Sequence, residues 1–399
     1  MSRDGQTIIG NFVFLRLVIV QFLNMVGDGL LAAGVPILLL STEGSAAQLS
    51  AYLVSFSVGA LTTLVFASIF SDRHSRRQMM IYADLARIAA AASIALSVSG
   101  NTGFLIAGGL LGGIGTSLFR PMYGAYIADI VPPDLRRAAN GLRSLSSRLS
   151  GVLGPGSAAV LFLFAPPLIA PAIVTLFSVL SIVVLFVSPA GSGGASENRS
   201  VAQLFDGFRE VLRRPWMTAL ILQGAVQIGL VAAPITLIVP IWLQSNGNAS
   251  RYGLLLAVEA IGAILGTYFA TRVPEKTNKY IALPSLLLQA GCLVTIAAHL
   301  PFWAMLVSYA VMGFGLSLFG VIWVSSIQAE IPAEKLGRVL AIDALGNTAM
   351  VPVGLTITGI AVALTSLHAT AVVCTVILVV SVVGVLGIRG TISVGVRVR

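Results

Sequence analysis

Twelve runs of apolar residues, each near the length of about 20 residues that crosses a bilayer as a helix, leave this chain little choice of fold. They cover 12–40, 47–71, 78–99, 103–127, 140–164, 168–188, 216–244, 252–271, 279–299, 302–326, 337–364 and 367–388. The 399 residues are 57% hydrophobic and only 10% charged, with a mean hydropathy of +0.95, values foreign to a water-soluble domain. The expected class is therefore an all-α membrane protein of twelve transmembrane helices. The first run is long and no small-residue cleavage site follows it, so it is expected to stay as a helix. The first, seventh and eleventh runs are long enough to tilt or kink, at Pro36, Pro234, Pro240 and Pro352. Cys292 and Cys374 both fall inside apolar runs and read as packed free thiols.

The charges set an orientation. Of the 24 Lys and Arg residues, all but Arg87, Arg120 and Arg251 fall near loops or termini on one side of the twelve-span ladder. By the positive-inside rule that side is the cytoplasm, which puts both termini there. The net charge of +9 is thus a topology signal. It forms no single basic face, and a nucleic-acid partner is not expected.

The Gly/Ser-rich stretch from Ser188 to Ser200 reads as a flexible linker, dividing the spans six and six. Residues 201–214 follow with Val201, Leu204, Phe205, Phe208, Val211 and Leu212 at helical spacing, the pattern of an amphipathic helix lying on the membrane surface. The expected organisation is a six-helix bundle over 1–188, a linker with this helix over 189–215, and a second bundle over 216–399. The halves also echo each other. Val131-Pro132-Pro133-Asp134 matches Ile331-Pro332-Ala333-Glu334, Gly29-Leu30 matches Gly229-Leu230, and Val35-Pro36 matches Val239-Pro240, as parallel repeats would.

Between the second and third spans lies Ser68-Ile69-Phe70-Ser71-Asp72-Arg73-His74-Ser75-Arg76-Arg77. It resembles the signature loop of the major facilitator superfamily, G-x-x-x-D-R-x-G-R-R, with Asp72, Arg73, Arg76 and Arg77 matching and serines at both glycine positions. Further pieces resemble one branch, the bacterial exporters related to enterobactin and macrolide efflux proteins. These are Gly27-Asp28, Asp84-Leu85-Ala86-Arg87, Pro121, Gly154-Pro155, Gly207-Phe208-Arg209 with Arg213-Arg214-Pro215, and Pro332-Ala333-Glu334 with Gly337-Arg338. The resemblance implies two six-helix halves and alternating access. It also implies a conformational latch at Asp72, Arg73, Arg76 and Arg77. Gly154-Pro155 keeps part of the antiporter pattern G-P-x-x-G-G, with alanines at the last two glycines.

Ionisable groups inside spans are costly and are functional candidates by default. Asp28, between two glycines near the middle of the first span, is the first proton-coupling candidate, and Glu259 in the eighth is the second; a carboxylate held permanently by a neighbouring helix is the competing reading. Asp84, Arg87, Arg120 and Asp343 are ion-pair candidates, with Asp84–Arg120 the pair that span depth allows. Gln21, Asn24, Gln223 and Gln227, on the matching first and seventh spans, are candidates for polar groups lining a cavity. His74 has no second histidine or cysteine nearby and reads as a loop residue, so no metal site is expected.

The expected function is secondary active transport in the bacterial cytoplasmic membrane by a multi-pass monomer. A mostly apolar path suits export of a small hydrophobic compound, such as a drug, antibiotic, siderophore or other natural product, in exchange for protons. The proton gradient is the driving force and no cofactor is expected. Import of a small nutrient is the rival reading, and a non-transporting membrane sensor is a more distant one. No catalytic cluster or nucleotide-binding loop suggests an enzyme.

Overall fold

The computed structural model describes residues 12–41, 45–71, 74–132, 135–189 and 208–388, without the side chains at 41, 64–71, 128–129, 137–138, 249, 275–276, 279 and 333–334. Asp72, Arg73 and most of the expected linker and amphipathic segment lie outside the described residues. Of that segment, 208–212 forms a short helix.

Twelve long helices are found among the described residues. They are α1 (Phe12–Ser41), α2 (Ala46–Ser71), α3 (Arg76–Ser97), α4 (Thr102–Ile130), α5 (Arg136–Leu161) and α6 (Ile169–Phe186). Then come α7 (Pro215–Gln227, a wide turn at Ile228–Ala232, and Ala233–Ser245), α8 (Tyr252–Ala270), and α9 (Glu275–Leu286, a tight turn at Leu287–Gln289, and Ala290–Ala297). The last three are α10 (Phe302–Glu330), α11 (Ala333–Leu364) and α12 (Leu367–Leu386). No strand occurs among the described residues.

Ten stretches among the described residues are long and apolar enough to cross a membrane. α5 carries Arg136, Arg137, Arg143 and Arg148 and a run of serines and glycines. The apolar surface is otherwise turned outward. Phe164, Trp303 and Leu163 are 85%, 70% and 68% exposed, as side chains are when lipid rather than water surrounds them.

The chain divides into two compact units. One comprises Met1–Glu43 with Ser55–Asn198, the other Gly44–Val54 with Arg199–Arg399. Within the first, α1 packs on α5 and α6, and α3 on α4 and α6. Within the second, α7 packs on α11 and α12, and α9 on α10 and α12. Each pairing in one unit thus recurs six helices later in the other. The chain reversals recur as well: α4 ends at Val131 with φ −98, ψ 125 and α10 at Ile331 with φ −99, ψ 126.

Of the prolines expected to kink long helices, Pro36, Pro240 and Pro352 lie inside continuous helix. The ladder changes instead at Ile228–Ala232, a π-turn just ahead of Pro234. A proline ring crowds the carbonyl four residues earlier, and a widened turn relieves it. Several glycines allow close helix approach. A Cβ on Gly29 would lie 2.8 Å from Pro155 Cδ and 3.0 Å from Gly154 Cα, so the Gly154-Pro155 pair serves here to seat α1 against α5.

Candidate functional site

The first unit holds a four-charge cluster, Asp28, Asp84, Arg87 and Arg120, of which Asp84 and Arg87 are buried and Arg120 is exposed. Asp28 lies near the middle of α1. Arg87 in α3 and Arg120 in α4 are each about 15 Å, at 1.5 Å per residue, from the start of α3 at Arg76 and the end of α4 at Ile130. Arg87 grips two carboxylates at once. Its Nε and Nη2 donate to Asp28 Oδ1 and Oδ2, each at 3.2 Å, and its Nη1 donates to Asp84 Oδ1 at 3.1 Å. A guanidinium's planar fork suits this division. The Arg87 plane also lies over the Phe119 ring, its Cζ 4.9 Å from the ring centroid. Space for the arginine comes from Gly115, where a Cβ would stand 2.9 Å from Arg87 Cγ.

The two carboxylates differ in access. Asp84 is wholly buried, and Asn24 Nδ2 donates to its Oδ1 at 3.0 Å. Its other oxygen accepts a short bond from the Ser181 hydroxyl. Asn24 also donates to Ser181 at 3.2 Å. Asp28 keeps 14% of its side chain exposed and accepts from Thr116 Oγ1 at 3.1 Å. Arg120, 60% exposed, approaches Asp28 Oδ2 at 4.0 Å. The expected Asp84–Arg120 pair is thereby corrected. Arg87 follows Asp84 by three residues on the same helix face and takes Asp84 as partner, and Arg120 meets Asp28.

The remaining candidates fall elsewhere. Asp343, expected in an ion pair, instead accepts from Trp323 Nε1 at 3.3 Å and Asn347 Nδ2 at 3.4 Å; neutral donors take the place of a cation. Gln21 lies buried beside Met25, its Nε2 3.5 Å from the sulfur. Gln223 donates to Gln227 at 2.8 Å, both buried. Glu259 sits on α8 against α10, and a Cβ on Gly313 would lie 3.1 Å from its Cγ.

At the start of α3, Ser75 caps the helix in a reciprocal box with Gln78, a role a glycine at that position of the signature loop could not fill. Arg76 donates to the Ala125 carbonyl and Arg77 to the Ser188 carbonyl, each at 2.8 Å. Both bonds lie within the first unit and tie α3 to the ends of α4 and α6. His74 packs edge-on to Tyr82, with ring centroids 5.6 Å apart.

A second polar cluster closes one end of the second unit. Glu210, on the short helix 208–212, accepts from Arg214 Nη1 at 2.6 Å and Lys335 Nζ at 2.8 Å. Arg214 Nε also faces Glu330 at 3.7 Å. The hydrogen bond from Lys335 and then that from Arg214 hold the Glu210 carboxyl down from 4.5 to about 2. A depressed carboxylate stabilises the fold fully above its unfolded pKa of 4.5, and the contribution fades as pH falls toward 2. Lowering pH from 5 to 3 should therefore drop the melting temperature of the detergent-solubilised protein more than that of Glu210→Gln. Equal drops would show that the clamp contributes nothing to stability.

The profile of the Major Facilitator Superfamily matches residues 17–247 and 228–391. The chain is 26% identical over 329 residues to macrolide efflux protein A of Enterococcus faecalis, covering 78% of this chain and all of that protein. It is 23% identical over 359 residues to the multidrug efflux pump Tap of Mycolicibacterium fortuitum, covering 86% and 88%. Among solved structures, the nucleoside transporter NupG superimposes with a TM-score of 0.74 at 14% identity, over 94% of this chain and 98% of that one. The repeated six-helix units and the profile match over nearly the whole sequence together establish that the chain is a transporter belonging to the Major Facilitator Superfamily.

Proposed function

We propose that the protein exports small hydrophobic compounds in exchange for protons, as a monomer in the bacterial cytoplasmic membrane with both termini in the cytoplasm. One observation carries the coupling: a single guanidinium is shared between a sealed carboxylate, Asp84, and a water-reachable one, Asp28. Asp84 is the permanent anchor of Arg87. Asp28 is the exchangeable partner, able to take a proton and let go of Arg87 without leaving that cation unpaired. Protonation would thus switch α1 between a state tied to α3 and a released one, a two-state element of the kind alternating access requires. The cytoplasmic side is assigned from the clustering of Lys and Arg at one set of helix ends. Direction is supported by the efflux proteins among the relatives. The cargo class is supported by the apolar character of the helices and by the names of those relatives. Arg76, Arg77 and the neighbouring Asp72 and Arg73 would steady the first unit's cytoplasmic end as the units alternate.

The test is transport of a macrolide probe by cells expressing the protein. Export predicts low accumulation that rises several-fold when an uncoupler collapses the proton gradient. Import predicts the reverse, with accumulation lost on uncoupling, and that outcome would overturn the reading.

A further inference from the structure

The repeat between the units is close enough to compare them position by position. In the first unit α2 and α4 cross at two glycines: a Cβ on Gly59 would strike the Leu110 carbonyl, and one on Gly113 the Phe56 carbonyl. In the second unit α8 and α10 cross the same way, Gly262 against the Ala310 carbonyl and Gly313 against the Glu259 carbonyl. The correspondence puts Glu259 at the place of Phe56. Gly115 meets the Ala83 carbonyl and Gly315 the Ser285 carbonyl, which carries Asp84 onto Leu286 and Arg87 onto Gln289. Asp28 and Arg120 correspond in the same way to Ile228 and Gly320. The second unit has therefore lost all four charges of the first unit's cluster. It has gained one carboxylate where the first has an aromatic ring.

That carboxylate is not placed to be a structural ion. Among the described residues Glu259 has no hydrogen-bond or ion-pair partner. The ionisable groups that interact with it are Tyr252 on its own helix, Cys292 on α9 and Tyr309 on α10, all buried and none a cation. Arg251, at the head of α8, stacks instead on the Phe302 ring at 5.0 Å. A permanent negative charge within a helix bundle without a counter-ion is costly. A proton removes the cost. The glycine seam beside Glu259 keeps α8 and α10 in backbone contact, so neutralising or charging this side chain acts directly on a tight helix crossing.

We propose that Glu259 is a second proton-binding carboxylate, belonging to the second unit and acting separately from Asp28, so that each transport cycle moves two protons per cargo molecule. The proposal rests on the proton-coupled reading above, and the experiment separates the two. The full chain, reconstituted in liposomes with the macrolide probe, is poised between opposing cargo and pH gradients, and the gradient at which flux stops gives the proton-to-cargo ratio. The expected ratios are two for the wild type and for Glu259→Asp, and one for Glu259→Gln. A wild type that moves cargo without protons sinks proton coupling itself. A proton-coupled wild type whose ratio is unchanged in Glu259→Gln sinks only the second site. If Glu259→Gln does not fold, the infrared pH-difference spectrum of folded Glu259→Asp decides. A carboxyl stretch shifted from that of wild type supports the site, and an identical spectrum overturns it.

Discussion

Asp28→Asn should lower the proton-to-cargo ratio from two to one while leaving a folded, membrane-inserted protein. Asparagine keeps the shape of the side chain and an oxygen to accept from Thr116 and from one nitrogen of Arg87, so the geometry at α1 survives. What it removes is a group that can be charged in one state and neutral in the other. One proton moving down a potential of about 100 mV supplies ~2.3 kcal/mol, enough to sustain a cargo gradient of roughly 50-fold at 1.4 kcal/mol per decade. The variant should therefore sustain a cargo gradient roughly 50-fold smaller than that of the wild type at the same driving force. A normal melting temperature in detergent identifies the loss as functional. If Asp28→Asn keeps the wild-type proton-to-cargo ratio, Asp28 is a structural partner of Arg87 and the coupling site lies elsewhere.

Much of this arrangement is legible before any coordinates, and what is not has a physical reason. The apolar runs place the helices to within a few residues because lipid imposes both length and polarity on a span. That holds even for α5, expected over 140–164 and found over Arg136–Leu161, despite its arginines, serines and glycines. All four members of the charge cluster stand out as ionisable residues within spans. Their pairing does not, because depth along a helix says nothing of which way a side chain points across the bundle. Asp84 and Arg120 match in depth, yet Arg87, three residues from Asp84, wins both carboxylates. Asn24 and Thr116 could have been recognised, as each lies four residues before a charged member, Asp28 or Arg120, and so on the same helix face. Ser181 could not: a single serine in an apolar helix carries no sign that it closes off a carboxylate one helix away. The replacement of Phe56 by Glu259 likewise becomes visible only when the two glycine crossings fix the register between the halves.

Arg87→Met should destabilise the first unit by about 3–5 kcal/mol, the range for removing one partner of a buried ion pair. Methionine fills similar volume and can still pack on Phe119, so lost packing contributes little. The cost comes from Asp84, which is fully buried and would keep Asn24 and Ser181 but lose its only cation. Asp28 would suffer less, because it is partly exposed and Arg120 stands 4.0 Å away. The two carboxylates therefore give opposite expectations in double variants. Adding Asp84→Asn to Arg87→Met should restore a large part of the lost stability, because it removes the stranded charge. Adding Asp28→Asn should restore much less. Unfolding of the purified proteins in denaturing detergent measures both, and the coupling energies follow from the two mutant cycles. Equal rescue by either partner would mean that Arg87 is not anchored on Asp84, and with that the distinction between a fixed and an exchangeable carboxylate would fail. Rescue by Asp84→Asn alone would leave Asp28 as the one carboxylate in the cluster whose bond to Arg87 is free to break and re-form within a transport cycle.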